Sequence, residues 1–217
     1  MEPSRYESLA RGGGTWPARV SDLPAFNAEQ VRNLPTRDPH ALAEKLLADT
    51  EALLATVAEF GDTPPMMNFD GDQRVRADRA IGTLLGEFIV HGRDIAGTVS
   101  ADWPIDSSLV PFVFDGVNQI LPGWLDSDKA AGHTAAYRVR LRGLDTTYTY
   151  AIADGHLTVN PADEVSAEVT ISAEPKTWLL MSYGRINQWT PAVTGRIVVW
   201  GRKPWLAANF SKLFQAA

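Results

Sequence analysis

The sequence contains no cysteine. The chain therefore forms no disulfide, has no thiolate nucleophile and cannot bind a metal ion through cysteine. Any thiol chemistry must come from a separate small molecule. Two common catalytic motifs are missing as well, because there is neither a glycine-rich phosphate loop followed by Lys-Ser/Thr nor a G-x-S-x-G nucleophile turn.

An excess of positive charge is also absent. The formal net charge is −6, which argues against nucleic acid as a partner because phosphate binding needs a basic surface. No stretch approaches the ~20 apolar residues of a membrane span, and the N-terminus lacks the apolar segment of a signal peptide. We therefore expect a cytoplasmic protein that has neither nucleic acid nor a membrane as its partner.

The helical part of the chain comes first. Residues 1–36 are rich in Gly, Pro and Arg, so an irregular N-terminal arm is predicted there. Apolar residues then recur at helical spacing over 38–60, 72–97 and 106–121, and short connections between such helices favour an antiparallel bundle over 37–127. Three helices leave one groove of this bundle open, where a fourth helix would fit.

After a polar linker at 128–134 the apolar period changes from helical to two. The alternation in Tyr137–Arg142 and Thr147–Ile152 predicts strands, and Asp154-Gly155 predicts a hairpin turn. Residues 134–217 are therefore predicted to form an antiparallel sheet with helices. The chain as a whole is expected to have an α+β fold with two domains.

Three polar residues interrupt the apolar face of the helix predicted over 72–97. Glu87 and His91 are four residues apart, and Asp94 continues the same stripe. A carboxylate and an imidazole among large aliphatic residues need a partner, and a divalent metal ion is one candidate. The alternative is a solvated Glu/His pair, joined only by its own hydrogen bond.

The run Gly86–Asp94, GEFIVHGRD, on a helical bundle that precedes a small α+β domain resembles the mycothiol-dependent maleylpyruvate isomerase family of actinobacteria. The resemblance implies a DinB-like four-helix bundle and a sterol-carrier-like C-terminal domain. It also implies mycothiol as cofactor and a divalent metal ion, commonly zinc, held by Glu87, His91 and a His from an opening helix. That helix would precede residue 1, so the bundle is expected to be incomplete and to lack one metal ligand.

Among the remaining polar candidates, the arginines have two interpretations. Asp94 is expected to orient the imidazole of His91. His40 is expected at a helix start, and His133 and His156 at turns or on strand surfaces. Arg138, Arg140 and Arg142 alternate along one strand, and Arg202 lies near the last strand. These arginines form either a solvated strand face or an anion-binding clamp for the carboxylates of a thiol cofactor or a diacid.

Two functions from different classes remain open. The first is a metal- and mycothiol-dependent isomerase or thiol transferase that acts on a small unsaturated acid. The second is a non-catalytic binding module that carries a small apolar ligand or lipid in the C-terminal domain. A homodimer in which a partner chain fills the open groove is a further expectation, and the sequence does not identify the substrate.

Overall fold

The computed structural model describes residues 3–215. Residues 1, 2, 216 and 217, at the ends of the predicted arm and of the predicted C-terminal domain, lie outside the described residues. The first half of the chain is mainly helical and contains α1 (Pro3–Ala10), α2 (Leu23–Arg32), α3 (Pro39–Ala58), the hairpin β1 (Met66–Phe69) and β2 (Gln73–Arg76), α4 (Ala77–Thr98) and α5 (Val110–Trp124).

The second half contains a sheet with short helices. Its elements are α6 (Ser127–Ala130), β3 (Ala135–Leu141), β4 (Thr146–Ala153), β5 (His156–Val159), β6 (Val169–Ala173), α7 (Pro175–Ser182), α8 (Trp189–Val193), β7 (Ile197–Gly201) and a C-terminal 3₁₀ helix (Pro204–Leu213). The chain thus has the α+β architecture expected from its two apolar periods.

The N-terminal segment is not the irregular arm that its composition predicts. It contains α1 and α2, and α1 packs against α3. Tyr6 and Leu9 are three residues apart on α1 and are both buried, so this short helix has an apolar face toward the body. Arg11 fixes its end by ion pairs with Glu7 and Glu59, each with a nitrogen–oxygen distance of 3.2 Å.

The helix predicted from residue 72 begins five residues later. Residues 73–76 form β2, which pairs with β1 through a turn in which Asp70, Gly71 and Asp72 all have positive φ. Val75 is completely buried, which gives the four-residue strand its inward side. Asp and Asn tolerate this backbone region better than most residues other than glycine.

Helices α4 and α5 pack closely against each other. Gly82 of α4 and Gly116 of α5 face each other where the two helices meet. A Cβ atom on Gly82 would lie 2.0 Å from the carbonyl oxygen of Phe112, and one on Gly116 would lie 2.5 Å from the amide nitrogen of Thr83. Both distances are far shorter than any real carbon contact. The missing side chains therefore allow the two backbones to approach each other.

The sheet has the strand order β5-β4-β3-β6-β7. It is mixed rather than antiparallel, since β3 and β6 run parallel while the other neighbours are antiparallel. The antiparallel prediction is wrong at this pair because alternation shows which side chains are buried but not which strand is the neighbour. The residues between β5 and β6 cross the sheet and place β6 beside β3.

One face of the sheet forms the main core of the molecule. Ile89 of α4 and Phe114 of α5 belong to the same buried cluster as Tyr137, Trp178 and Phe210 of the second half. The terminal segment predicted as a helix from Pro204 is a 3₁₀ helix, and it contributes Phe210 to this cluster. Within residues 3–215, no helix combines the length and apolarity that crossing a bilayer requires.

Candidate functional site

The Glu87–His91 pair lies on the side of α4 that faces partly toward solvent. The Nε2 atom of His91 is 3.1 Å from Oε2 of Glu87, and their side chains are 54% and 31% exposed, respectively. The one-turn spacing thus brings the two side chains into contact with each other, as helical geometry requires. Because a carboxylate only accepts, Nε2–H is the donor and Nδ1 keeps its lone pair.

Asp94 is held mainly by an arginine from the second half of the chain. The Nε and Nη2 atoms of Arg185 are both 2.8 Å from Oδ2 of Asp94. The guanidinium of Arg185 lowers the pKa of the Asp94 carboxyl below its ordinary value. The Nδ1 atom of His91 is 3.7 Å from Oδ2 of Asp94, which is too long for a hydrogen bond. Asp94 therefore joins the two halves and lies beside the imidazole without fixing its orientation.

These residues do not form a metal centre. A catalytic zinc site needs three protein ligands and an open position, whereas Glu87 and His91 bind each other and Asp94 binds Arg185. Between Pro3 and Gln215, no three or more His, Asp or Glu side chains are grouped so that they could hold a metal ion. The donor set therefore does not fit the zinc that the resemblance implies.

The other histidines lie elsewhere in the structure. His40 is exposed at the start of α3, where its backbone N–H donates to the side chain of Asp38. His133 contacts the hydroxyl of Tyr137 at 2.8 Å, and burial lowers the pKa of its imidazole. His156 is exposed on β5. All three have surroundings that account for them without a ligand.

A buried carboxyl group near Glu87 was not identified from the sequence. Asp70, in the β1–β2 turn, is 7% exposed, and the indole N–H of Trp124 donates to its Oδ2 atom. Burial, with a contribution from the negative charge of Glu87, raises the pKa of Asp70 to about 6. The indole N–H of Trp16 is buried without a partner and lies near enough to Asp70 to oppose this shift slightly.

Tyr183, which follows α7 in the second half of the chain, lies close to Glu87 and Asp70. A Cβ atom on Gly86 would lie 2.1 Å from the Tyr183 hydroxyl, so the glycine beside Glu87 makes room for this group. Burial raises the pKa of Tyr183, and the negative charges of Glu87 and Asp70 raise it further. The polar site thus contains groups from α4, the hairpin turn and the segment after α7.

An open cleft of about 410 Å³ lies next to this group and is lined by Arg93, Asp94 and Trp103 among others. The ring of Trp103 lies over Gly92, where a Cβ atom would be 2.3 Å from it, and its indole N–H donates to the Ile89 carbonyl. Gly92 therefore allows Trp103 to form one wall of the cleft. Of the polar site residues, Asp94 belongs to the lining of this cleft.

The four candidate arginines have different environments. Arg142 donates to the carbonyl oxygens of Gly195, Ser172 and Arg196, and Arg202 pairs with Glu168 at 3.2 Å. Arg138 and Arg140 point away from the core on β3. Of the four arginines predicted as a clamp, Arg142 thus binds backbone carbonyls, Arg202 binds a carboxylate, and the other two face solvent.

Sequence comparison matches two families to separate parts of the chain. Residues 1–96 match the mycothiol maleylpyruvate isomerase N-terminal domain, and residues 117–215 match the SCP-2 sterol transfer family. No curated protein matches the sequence.

Solved structures show similarity to about half of the chain. The sec-alkylsulfatase Pisa1 from Pseudomonas sp. is 21% identical with a TM-score of 0.42, over 47% of this chain and 16% of the sulfatase. Sterol Carrier Protein 2 Like 2 from Aedes aegypti is 14% identical with a TM-score of 0.38, over 50% of this chain and 100% of the carrier protein. The sterol carrier protein domain 2 of Helicoverpa armigera is 13% identical with a TM-score of 0.39, over 46% of this chain and 85% of that domain. On the family matches, residues 1–96, with Glu87, His91 and Asp94, are similar to the mycothiol maleylpyruvate isomerase N-terminal domain, and residues 117–215 are similar to the SCP-2 sterol transfer family.

Proposed function

We propose that the protein is a thiol-assisted isomerase or transferase of the maleylpyruvate isomerase type, with mycothiol as the thiol and a small unsaturated acid as the substrate. The family match over residues 1–96 supports the reaction class. The contact between His91 and Glu87 carries the assignment of the reacting groups. The cleft lined by Arg93, Asp94 and Trp103 is the proposed substrate site, and its wall residue Asp94 lies 3.7 Å from the imidazole of His91.

His91 is proposed as the group that accepts the proton of the thiol. Imidazole is the side chain best suited to proton transfer near neutral pH. Glu87 accepts the Nε2–H bond, so the lone pair of Nδ1 is free to take the proton. The thiolate then adds to the carbon–carbon double bond of the acid, and its later expulsion restores the double bond after rotation. Arg93, in the wall of the cleft, is the proposed partner of the substrate carboxylate.

Zinc is not part of this proposal, because its donors do not fit. Ligation of a metal ion by Glu87 and His91 remains a prediction from the resemblance, and elemental analysis of the purified protein tests it. Two donors hold zinc weakly, so we expect clearly less than one zinc ion per chain. If the wild type instead contains one zinc ion per chain and His91→Ala loses it, a metal-dependent mechanism would replace the proposed acid–base role of His91.

The activity test uses maleylpyruvate and mycothiol with the purified chain. We expect turnover in the wild type, a loss of about 10²- to 10⁴-fold in His91→Gln, and insensitivity to chelators. His156→Gln, an exposed histidine on β5, is the matched control and should keep full activity. Equal loss in both variants, or no turnover with any thiol, would rule out the proposed role of His91.

The alternative function is a non-catalytic module that carries an apolar ligand or lipid. The SCP-2 match supports it, but the inner face of the sheet is already packed with Tyr137, Tyr150, Trp178 and Phe210. An apolar ligand there would have to displace Phe210 and the 3₁₀ helix that carries it. A thermal shift with acyl chains in a chain without isomerase activity would favour the module.

The proposed partners are a small substrate and a thiol, with no nucleic acid, in the cytoplasm. A homodimer is proposed as well, because α3 exposes Leu47 by 67% and Leu54 by 56%. Light scattering should then give about twice the chain mass of 23.7 kDa. Leu47→Glu together with Leu54→Glu should reduce that value to the mass of one chain.

A further inference from the structure

The charges of the chain are unevenly distributed along the sequence. Residues 134–217 contain nine Lys and Arg against six Asp and Glu, a net charge of +3. Residues 1–133 contain eleven Lys and Arg against twenty Asp and Glu, a net charge of −9. The sheet half is thus basic within an acidic protein, which suggests a negatively charged partner for that half alone.

The sheet has a solvent-facing side opposite the core. Along each strand, alternate residues are buried, and those between them are partly or fully exposed. The exposed side chains on the three strands β3, β6 and β7 are here called the outer patch: Arg138, Arg140, Thr170, Ser172, Val198 and Trp200. The register places them side by side in two rows across the sheet.

The two arginines of the outer patch have no partner of their own. Within residues 3–215, neither Arg138 nor Arg140 forms a side-chain hydrogen bond or an ion pair, whereas Arg142 and Arg202 nearby are both engaged. They are two residues apart on one strand, so their side chains leave the sheet about 7 Å apart. Two free guanidinium groups at this spacing suit separate phosphate groups.

Two apolar side chains lie on the same face. Val198 and Trp200 are 46% and 44% exposed, although most large apolar residues of the sheet are buried. The register pairs Arg138 with Thr170 and Thr170 with Trp200, so Trp200 lies two strands, or about 10 Å, from the arginines. The outer patch therefore combines two cationic side chains, Arg138 and Arg140, with two exposed apolar side chains, Val198 and Trp200.

We propose that the outer patch docks the protein onto the surface of an anionic lipid bilayer. The sheet face is open, so a small diacid would contact the arginines from one side only. Two open clefts that could enclose a small molecule lie in the helical half instead. A bilayer instead offers an extended row of phosphates to Arg138 and Arg140 and an interfacial layer that tryptophan favours. This peripheral docking needs no membrane-spanning helix, and it replaces the expectation of no membrane partner.

The test is co-sedimentation of the full chain with vesicles of phosphatidylglycerol or of phosphatidylcholine. We expect binding to phosphatidylglycerol only, and weaker binding as salt rises, because screening shortens the reach of surface charges. Replacing Arg138 and Arg140 together by threonine should weaken binding about 30-fold, since each arginine near an anionic surface contributes on the order of a factor of five. Trp200→Thr should weaken it about tenfold.

Arg32→Thr with Arg74→Thr, two exposed arginines of the helical half, makes the same change in net charge and is the matched control. This control should lose less than about twofold, and thermal melting should show that every variant is folded. No binding to phosphatidylglycerol at low salt, or an equal loss in the control, would overturn the proposal. Binding to soluble polyglutamate but not to vesicles would overturn it in favour of an acidic protein partner.

Discussion

Asp70 offers a direct test of the polar site, because its carboxyl is buried close to a second acidic group. Burial raises its pKa from 3.8 to about 6, so the folded state favours the protonated form. Replacing Asp70 by asparagine removes the ionisation. The amide oxygen can still accept the N–H of Trp124, and asparagine tolerates the φ of 50° at this position.

The expected change in the free energy of unfolding follows from the difference between the pKa of the Asp70 carboxyl in the folded chain and its pKa in the unfolded chain. Below about pH 3 the group is protonated in both folded and unfolded chains and does not affect the pH dependence. As the pH rises, the unfolded chain loses the proton first, so the folded state loses stability until the pH has passed about 6. The difference between 3.8 and about 6 corresponds to about 3 kcal/mol.

The measurement is urea unfolding of the wild type and of Asp70→Asn from about pH 3 to about pH 7. Several other carboxyls have lowered pKa values and change stability in the opposite direction, but they do so equally in both proteins. The difference between the two curves therefore reports Asp70 alone. We expect the free energy of unfolding of Asp70→Asn to rise by about 3 kcal/mol relative to the wild type across this range.

Asp72→Asn is the matched control, since Asp72 lies in the same turn with a φ of 63° but is exposed. Its curve should run parallel to that of the wild type. A parallel curve for Asp70→Asn as well would refute the argument, because it would mean that burial of Asp70 does not disfavour its charge. If the free energy of unfolding of Asp70→Asn instead fell relative to the wild type as the pH rose, the folded state would stabilise the ionised carboxylate of Asp70.

Three further changes test the fold by thermal or urea unfolding. Gly82→Ala should destabilise the chain by about 2–4 kcal/mol, because its Cβ would lie 2.0 Å from a carbonyl oxygen of α5. Gly97→Ala, in open space on the same helix, should instead stabilise it by about 0.5–1 kcal/mol, and a similar loss in both would contradict the close approach. A double-mutant cycle on Asp94 and Arg185, each changed to alanine, should give a coupling of about 0.5–1 kcal/mol because both side chains are partly exposed, and additive losses would show that they are independent. Asp38→Ala should cost about 1 kcal/mol, since its side chain accepts the N–H of residue 40 at the start of α3, and an unchanged midpoint would contradict this capping role.

Local signals in the sequence predict several elements well. The Asp38-Pro39 pair predicts the start of α3, and the structure confirms it. Alternation over 137–142 and 147–152 predicts β3 and β4, which pair in the structure. In these segments the apolar period and the capping chemistry act within a few residues, so neighbouring residues contain the necessary information.

The errors occur where short elements or distant contacts decide the structure. Helix α1 has only eight residues, and its buried Tyr6 packs against Phe69 of the distant strand β1. The local composition therefore does not reveal this helix. The parallel pairing of β3 with β6 joins segments about thirty residues apart, and no local pattern specifies it.

The candidate site was predicted only in part for the same reason. The spacing of Glu87 and His91 on one helix is a local property, and the structure places them in contact. Asp70, Tyr183 and Arg185 reach the same region from other parts of the chain. Asp70 precedes a glycine, a pair that signals only a turn, and the sequence around Tyr183 carries no motif that would have identified it.

The buried cluster shared by the two halves has a consequence for how this protein can be divided. The SCP-2 match begins at residue 117, in the middle of α5, but Val110, Val113 and Phe114 pack on the sheet from the part of that helix before it. A fragment that starts at residue 117 would leave a bare apolar surface on the sheet and should aggregate when it is expressed by itself. The segments that match the two families therefore share one buried cluster, and dividing the chain between them exposes part of that cluster.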